Sequence, residues 1–170
     1  MKLLLKYLLV CGLLLGLTGP AGAQTAKELD QAGLDHFSKA FYEATPRGES
    51  AKAAEEYGLA EQSFQQAIRS QPDWVEPYLH LGRTYFVQKK YPQAAELYQK
   101  ALTIAPQQKE IYLQWASALE MAGDYQGTVD VLQTLRAQET EEAARAKLDG
   151  FIKRAQTRAQ AAQQNKQKGQ

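Results

Sequence analysis

Residues 75–108 read VEPYLHLGRTYFVQKKYPQAAELYQKALTIAPQQ, and this stretch decides how the whole chain folds. Gly82, Ala94 and Ala101 are small at spacings where two helices must cross closely, and larger apolar residues stand between them to fill the gaps. Pro106 cannot continue a helix, so the chain breaks there and starts again. Asp73 with Glu76 reads as a capping box opening the first helix of the stretch, and Pro92 suits the first turn of the second.

Counted from Val75, Tyr78, Leu81, Gly82 and Tyr85 fall at positions 4, 7, 8 and 11, and Ala94, Tyr98, Ala101 and Pro106 at 20, 24, 27 and 32. This resembles the tetratricopeptide pattern W-x2-L-G-x2-Y…A-x3-F…A…P at all eight signature places, with Tyr standing for Trp and Phe. The next period, from Lys109, keeps Tyr112, Trp115, Ala116 and Leu119 and has Gly123-Asp124 as its turn. Its second helix carries Thr128, Leu132 and Leu135 where Ala, Phe and Ala are usual, and Thr140 replaces the proline. A looser or reoriented crossing is expected there. Upstream, Ala60, Phe64, Ala67 and Pro72 stand one period before Ala94, Tyr98, Ala101 and Pro106. Their partner helix reads best as Ala26 to about Glu43, with Thr25 and Glu28 as capping box and Ala32-Gly33 as the small pair. That alignment inserts about 15 residues, making a loop at 45–50 and a long start to the second helix.

The resemblance implies an all-α fold, a right-handed helical-hairpin solenoid of about three repeats with a C-terminal capping helix. The repeats are placed at about 26–74 with the insertion, 75–108 and 109–140. The capping helix is placed at 141–157, where Ala144, Leu148, Phe151, Ile152 and Ala155 mark one apolar face. Residues 158–170 hold Gln, Ala and basic residues with no large apolar side chain. They cannot bury enough surface to offset the entropy of ordering, and are expected to be a disordered tail.

Residues 1–23 look like a secretory signal: Lys2 and Lys6, a ten-residue apolar run at 8–17, then Ala21-Gly22-Ala23. The run is shorter than the roughly 20 residues needed to span a bilayer. Cleavage after Ala23 would place the rest of the chain in a periplasm or comparable lumen; retention as an anchor is the rival reading. Cys11, the sole cysteine, lies inside this segment, preceded by Val10 rather than the small residue of a lipidation site. After cleavage no thiol remains for disulfide chemistry.

The net charge of +1 hides a polarity. Residues 24–142 carry a net −7, whereas residues 143–170 carry a net +6. The basic end leaves three readings open: a solvated terminus, a contact with an anionic membrane or cell-wall polymer, or nucleic acid on charge alone. Nucleic acid is set aside, because no aromatics interleave the charges and the chain reads as exported.

Little in the sequence asks for catalysis, cofactor or metal. His36 and His80 belong to no ligand pair or triad, and the carboxylates are spread at helix-surface spacing. Binding is better motivated. Carried over from the family, the concave groove would be lined by Glu76, Leu79, Arg83, Phe86 and Val87 in the clear repeat, and by Glu110, Leu113, Ser117, Glu120 and Met121 in the next. Such a groove suits an extended or helical peptide. The family's clamp for acidic chaperone tails, built from Lys and Asn, is unmatched, since no asparagine precedes Asn165. The expected function is therefore that of an exported scaffold or assembly adaptor holding a protein or peptide partner. The alternative is a structural oligomer formed by end-to-end stacking of repeats.

Overall fold

The computed structural model describes residues 24–168, so the signal reading at 1–23 lies outside the described residues. Seven α-helices follow one another: α1 Ala26–Ser38, α2 Ser50–Ser70, α3 Glu76–Val87, α4 Tyr91–Ile104, α5 Lys109–Ala122, α6 Tyr125–Gln138 and α7 Glu142–Lys168. Each packs against its neighbours in the chain, and α1 also reaches α3. The hairpins α1–α2, α3–α4 and α5–α6 form three stacked repeats covered by α7. No described helix is long and apolar enough to cross a membrane.

The small residues sit where the crossings need them. Ala60, Ala94 and Ala101 are fully buried, and Gly82 lies against the ring of Tyr98. In α2 the buried residues Ala53, Tyr57, Ala60, Phe64 and Ala67 keep the i, i+4, i+7 rhythm of one helix face. The first four close a core with Phe37, Ala40, Ala44, Leu81 and Leu97. A second core joins α4, α5, α6 and α7 through Tyr98, Ile111, Val129, Leu132, Leu148 and Ile152. Burying one such large side chain contributes about 1.5–3 kcal/mol.

The two capping boxes expected from the sequence fare differently. Thr25 and Glu28 form the expected capping box: Glu28 N–H donates to Thr25 Oγ1 at 3.2 Å and Thr25 N–H donates to Glu28 Oε2 at 2.8 Å. The box expected from Asp73 and Glu76 is not formed, and α3 has no side-chain cap. Its start is held instead by Tyr78, whose hydroxyl donates to the Pro72 carbonyl at 3.0 Å, with Pro77 in the first turn. Tyr112 repeats the device on Pro106 at 3.3 Å. A tyrosine where the family has tryptophan thus ties each repeat to the proline ending the one before it.

Three further departures have local causes. The first helix ends in a π-helical turn, Lys39–Ala44, where a continuous α-helix was expected. Ala40 and Ala44 within it are both fully buried. At the crossing expected to be looser or reoriented in the third repeat, Thr128 is 2% exposed; its hydroxyl donates to the Asp124 carbonyl at 2.8 Å and lies 3.5 Å from the Ala116 carbonyl on the facing helix. The tail expected to be disordered from residue 158 continues α7 to Lys168. Ala, Gln, Lys and Arg are all good helix formers, nothing there breaks a helix, and Ala159 is still buried.

Glu139 takes over the joint where proline is missing. Its Oε1 accepts from Thr140 N–H at 2.8 Å and Glu141 N–H at 3.1 Å, and its Oε2 accepts from Lys109 Nζ at 3.0 Å. The Glu141 and Thr140 amides and Lys109 together hold its carboxyl down at about 2.

Candidate functional site

Helix periodicity builds the groove. On α3, Leu79, Arg83 and Phe86 follow at i, i+4 and i+7, and on α5, Leu113, Ser117 and Glu120 do the same, so each triplet shares one face. Leu79, Arg83 and Phe86 from α3, with Leu113 and Ser117 from α5, line a single cavity of about 530 Å³. His80, Gln114 and Tyr98 complete its lining. Leu113 and Ser117 also border a second cavity of about 340 Å³, which continues past Glu120 to Leu132, Phe151, Arg154 and Ala155. The concave face is therefore one channel running from α3 to α7.

Four of the ten expected groove residues fall outside both cavities. Eight residues along an α-helix is about 80° past two full turns, which turns Val87 and Met121 off the groove face. Val87 packs against the first core and Met121 is 53% exposed. Glu76 and Glu110 stand in the first turns of α3 and α5, where a negative charge meets the unpaired N–H groups of the helix end. The other six, Leu79, Arg83, Phe86, Leu113, Ser117 and Glu120, line the two cavities.

Several polar groups of the channel are held by named partners. The Arg83 guanidinium lies over the Phe37 ring, 5.1 Å from its centroid, joining the groove to the first repeat. His80 is oriented from below: its Nδ1 is 2.9 Å from Oδ1 of Asp30, which is 5% exposed. Tyr98, 3% exposed, has its hydroxyl pushed up to about 12 by burial, an effect partly offset by the charge of Arg83. Phe86 packs edge-on against Tyr91 at 5.3 Å. At the far end, Arg158 pairs with Glu120, and Arg154 lies over Phe151 at 4.7 Å. Phe151, expected on the buried face of the capping helix, is 42% exposed and forms a wall of the channel.

The expected groove positions all come from first helices of repeats. Among the lining residues they omit are His80 and Gln114 on first helices, Tyr98 and Leu132 from second helices, and Phe151 and Arg154 from the cap. Tyr98 carries its own signal, being a tyrosine where the pattern has phenylalanine. The His80–Asp30 pair spans fifty residues and has no local signal. No cluster of metal-ligating side chains occurs among the described residues.

Comparison with known proteins agrees with this architecture. Tetratricopeptide repeat family profiles match residues 45–109 and 86–148. The cytochrome c-type biogenesis protein CycH of Pseudomonas aeruginosa is 32% identical over 68 residues, which are 40% of this chain and 17% of that protein. The chain thus spans about a sixth of this relative's length. Among solved structures, the TPR2B domain of yeast Sti1, in its complex with pHsp70, superposes with a TM-score of 0.57 at 17% identity, covering 78% of this chain and 96% of that one. The Sgt2 TPR domain of Aspergillus fumigatus gives 0.55 at 16% identity, covering 86% and 88%. The N-terminal domain of STI-1 from C. elegans gives 0.53 at 13% identity, covering 75% and 97%. At these identities the likeness is one of fold.

Proposed function

Because the chain belongs to the tetratricopeptide repeat family, we propose that it is a protein-binding adaptor which holds a peptide segment of its partner along the channel from Leu79 to Phe151. The observation that carries this is the exposure of large apolar side chains inside a concave surface. Leu113 is 44% exposed and Phe151 42% exposed, with Leu79 and Phe86 beside them. Apolar groups held open in a channel with a few fixed polar groups suit a peptide that brings its own apolar side chains.

The reading extends to an assembly role outside the cytoplasm. The signal-like order of residues 1–23 supports export. The partial likeness to a cytochrome c-type biogenesis protein supports a task in building envelope complexes.

The test is photo-crosslinking in living cells, with a crosslinking amino acid at Ser117 inside the channel or at Gln99 on α4 outside it. A partner captured from Ser117, absent from Gln99 and lost in Leu113→Asp, is the expected result. Leu113 is already half in solvent, so this change leaves the fold intact. Equal capture from both positions, insensitive to Leu113→Asp, would place binding elsewhere.

A further inference from the structure

A separate groove lies on the other side of α5 from the peptide channel. Leu113 and Ser117 face the channel. Trp115 and Leu119 each stand two residues further on, about 200° around a helix of roughly 3.6 residues per turn, so they point nearly the opposite way. There they line a cavity of about 570 Å³ between α4 and α6, with Ala95 and Val131 beside them. Trp115 and Leu119 are only half-buried, so the groove offers open apolar surface.

Its rim is acidic. Glu96 on α4, Asp124 at the start of α6 and Asp130 within α6 are all exposed at the cavity, and no Lys, Arg or His lines it. None of the three carboxylates forms an ion pair among the described residues. Asp124 and Asp130 each accept a neutral hydrogen bond at 2.9 Å, from Gly127 N–H and Gln126 Nε2, which leaves their charge uncompensated. The groove one repeat earlier, between α2 and α4, differs: there Arg69 and Lys100 accompany Glu96. The unbalanced negative charge therefore belongs to this groove and not to the whole outer face.

The three carboxylates do not converge on a point, since no cluster able to hold a metal ion occurs among the described residues. Spread around one apolar cavity, they match several cations carried on a chain better than a single ion. Lysine and arginine suit both parts of such a surface. Their alkyl stems cover apolar groups while the charged heads meet a carboxylate or the face of an indole.

We infer that this groove docks a cationic segment of a partner protein, its lysine or arginine side chains at Glu96, Asp124 and Asp130 and an intervening apolar side chain against Trp115 and Leu119. The inference does not depend on what fills the channel. It gives the chain two docking faces, one on each side of α5, so that two partners can be held at once.

The experiment titrates three peptides into the ¹⁵N-labelled chain and follows the Trp115 indole and the backbone amides. Acetyl-Lys-Leu-Lys-Leu-Lys-amide carries both features, acetyl-Gln-Leu-Gln-Leu-Gln-amide lacks the charge, and acetyl-Lys-Gln-Lys-Gln-Lys-amide lacks the apolar groups. The first is expected to shift Trp115 and to bind about tenfold tighter than either of the others, since three exposed ion pairs of ordinary strength compound to about that factor. Glu96→Gln with Asp130→Asn should remove most of the margin over the neutral peptide. Both side chains are exposed and neither caps a helix, so the fold is kept.

Equal affinity for the three peptides, shifts centred on Leu113 and Ser117 instead of Trp115, no binding at millimolar concentration, or an unchanged margin in the double variant would overturn the inference. Self-association without peptide that covers Trp115 and is abolished by Lys166→Glu with Lys168→Glu would give the groove to the basic end of α7 from a second copy, and would overturn the assignment to a partner. Leu113→Asp, which disables the channel, should leave the first peptide bound, so the two faces fail or stand separately.

Discussion

Gly33 and Phe64 meet so closely that a Cβ on the glycine would lie 2.5 Å from Cε1 of the ring. Gly82 stands in the same relation to Tyr98, its added Cβ falling 2.8 Å from Cε1. The two crossings are the same element of architecture in successive repeats. Phe64 and Tyr98 are one period apart, whereas Gly33 and Gly82 are separated by a period plus the inserted residues. The insertion is absorbed in the π-turn, the bend at 45–49 and the long start of α2, and the crossing is unaffected.

Gly33→Ala and Gly82→Ala should therefore each destabilise the fold by about 1–3 kcal/mol, since the aromatic ring must leave its place. Gly58→Ala is the control. It lies in the interior of α2 with nothing within 4 Å of an added Cβ, and should stabilise by about 0.4–1 kcal/mol. Urea denaturation read by circular dichroism compares all three. A neutral Gly82→Ala would mean that the helices can separate without cost.

Lys89 and Gly123 hold the same turn in consecutive repeats, at φ 61° and 82°. A lysine there bears the crowding of Cβ that glycine escapes. Lys89→Gly is expected to raise stability by about 0.5–1 kcal/mol, and Gly123→Lys to lower it by about 1 kcal/mol. Thermal melts of the two variants should move in opposite directions.

Glu139 ties stability to pH. Its carboxyl sits at about 2 in the folded chain against an ordinary 4.5, so the folded state favours the ionised form. The stabilisation is complete above about pH 4.5 and is lost as pH falls toward 2. Glu139→Gln should melt below the parent at pH 7, with the gap closing as pH falls through that window. A gap that stays constant with pH would show that the carboxylate is not the source.

The end of α7 is helical but carries almost no packing beyond Ala159, with Gln160 to Lys168 nearly all exposed. Amide hydrogen exchange should be slow up to Ala159 and nearly unprotected after it, because opening those turns exposes no core. Protection continuing to Lys168 would mean that the basic segment is covered by something in solution.

How much of this was legible in the sequence depended on the range of the interaction. The positions of the close crossings, the arrest of α2 and α4 near prolines, and the face shared by Leu79, Arg83 and Phe86 all follow from spacing within one repeat. A helix obliges residues at i, i+4 and i+7 to point the same way. Those features the sequence determined by itself.

What the tertiary structure alone decided are the meetings between repeats. These include Asp30 beneath His80, Arg83 over Phe37, Arg158 on Glu120, and Phe151 turned into the channel. Each depends on the rotation from one hairpin to the next, which sums packing over every interface between them. The local period of the sequence carries no record of that rotation, so the walls of the groove could be read from one repeat while its floor and far end could not.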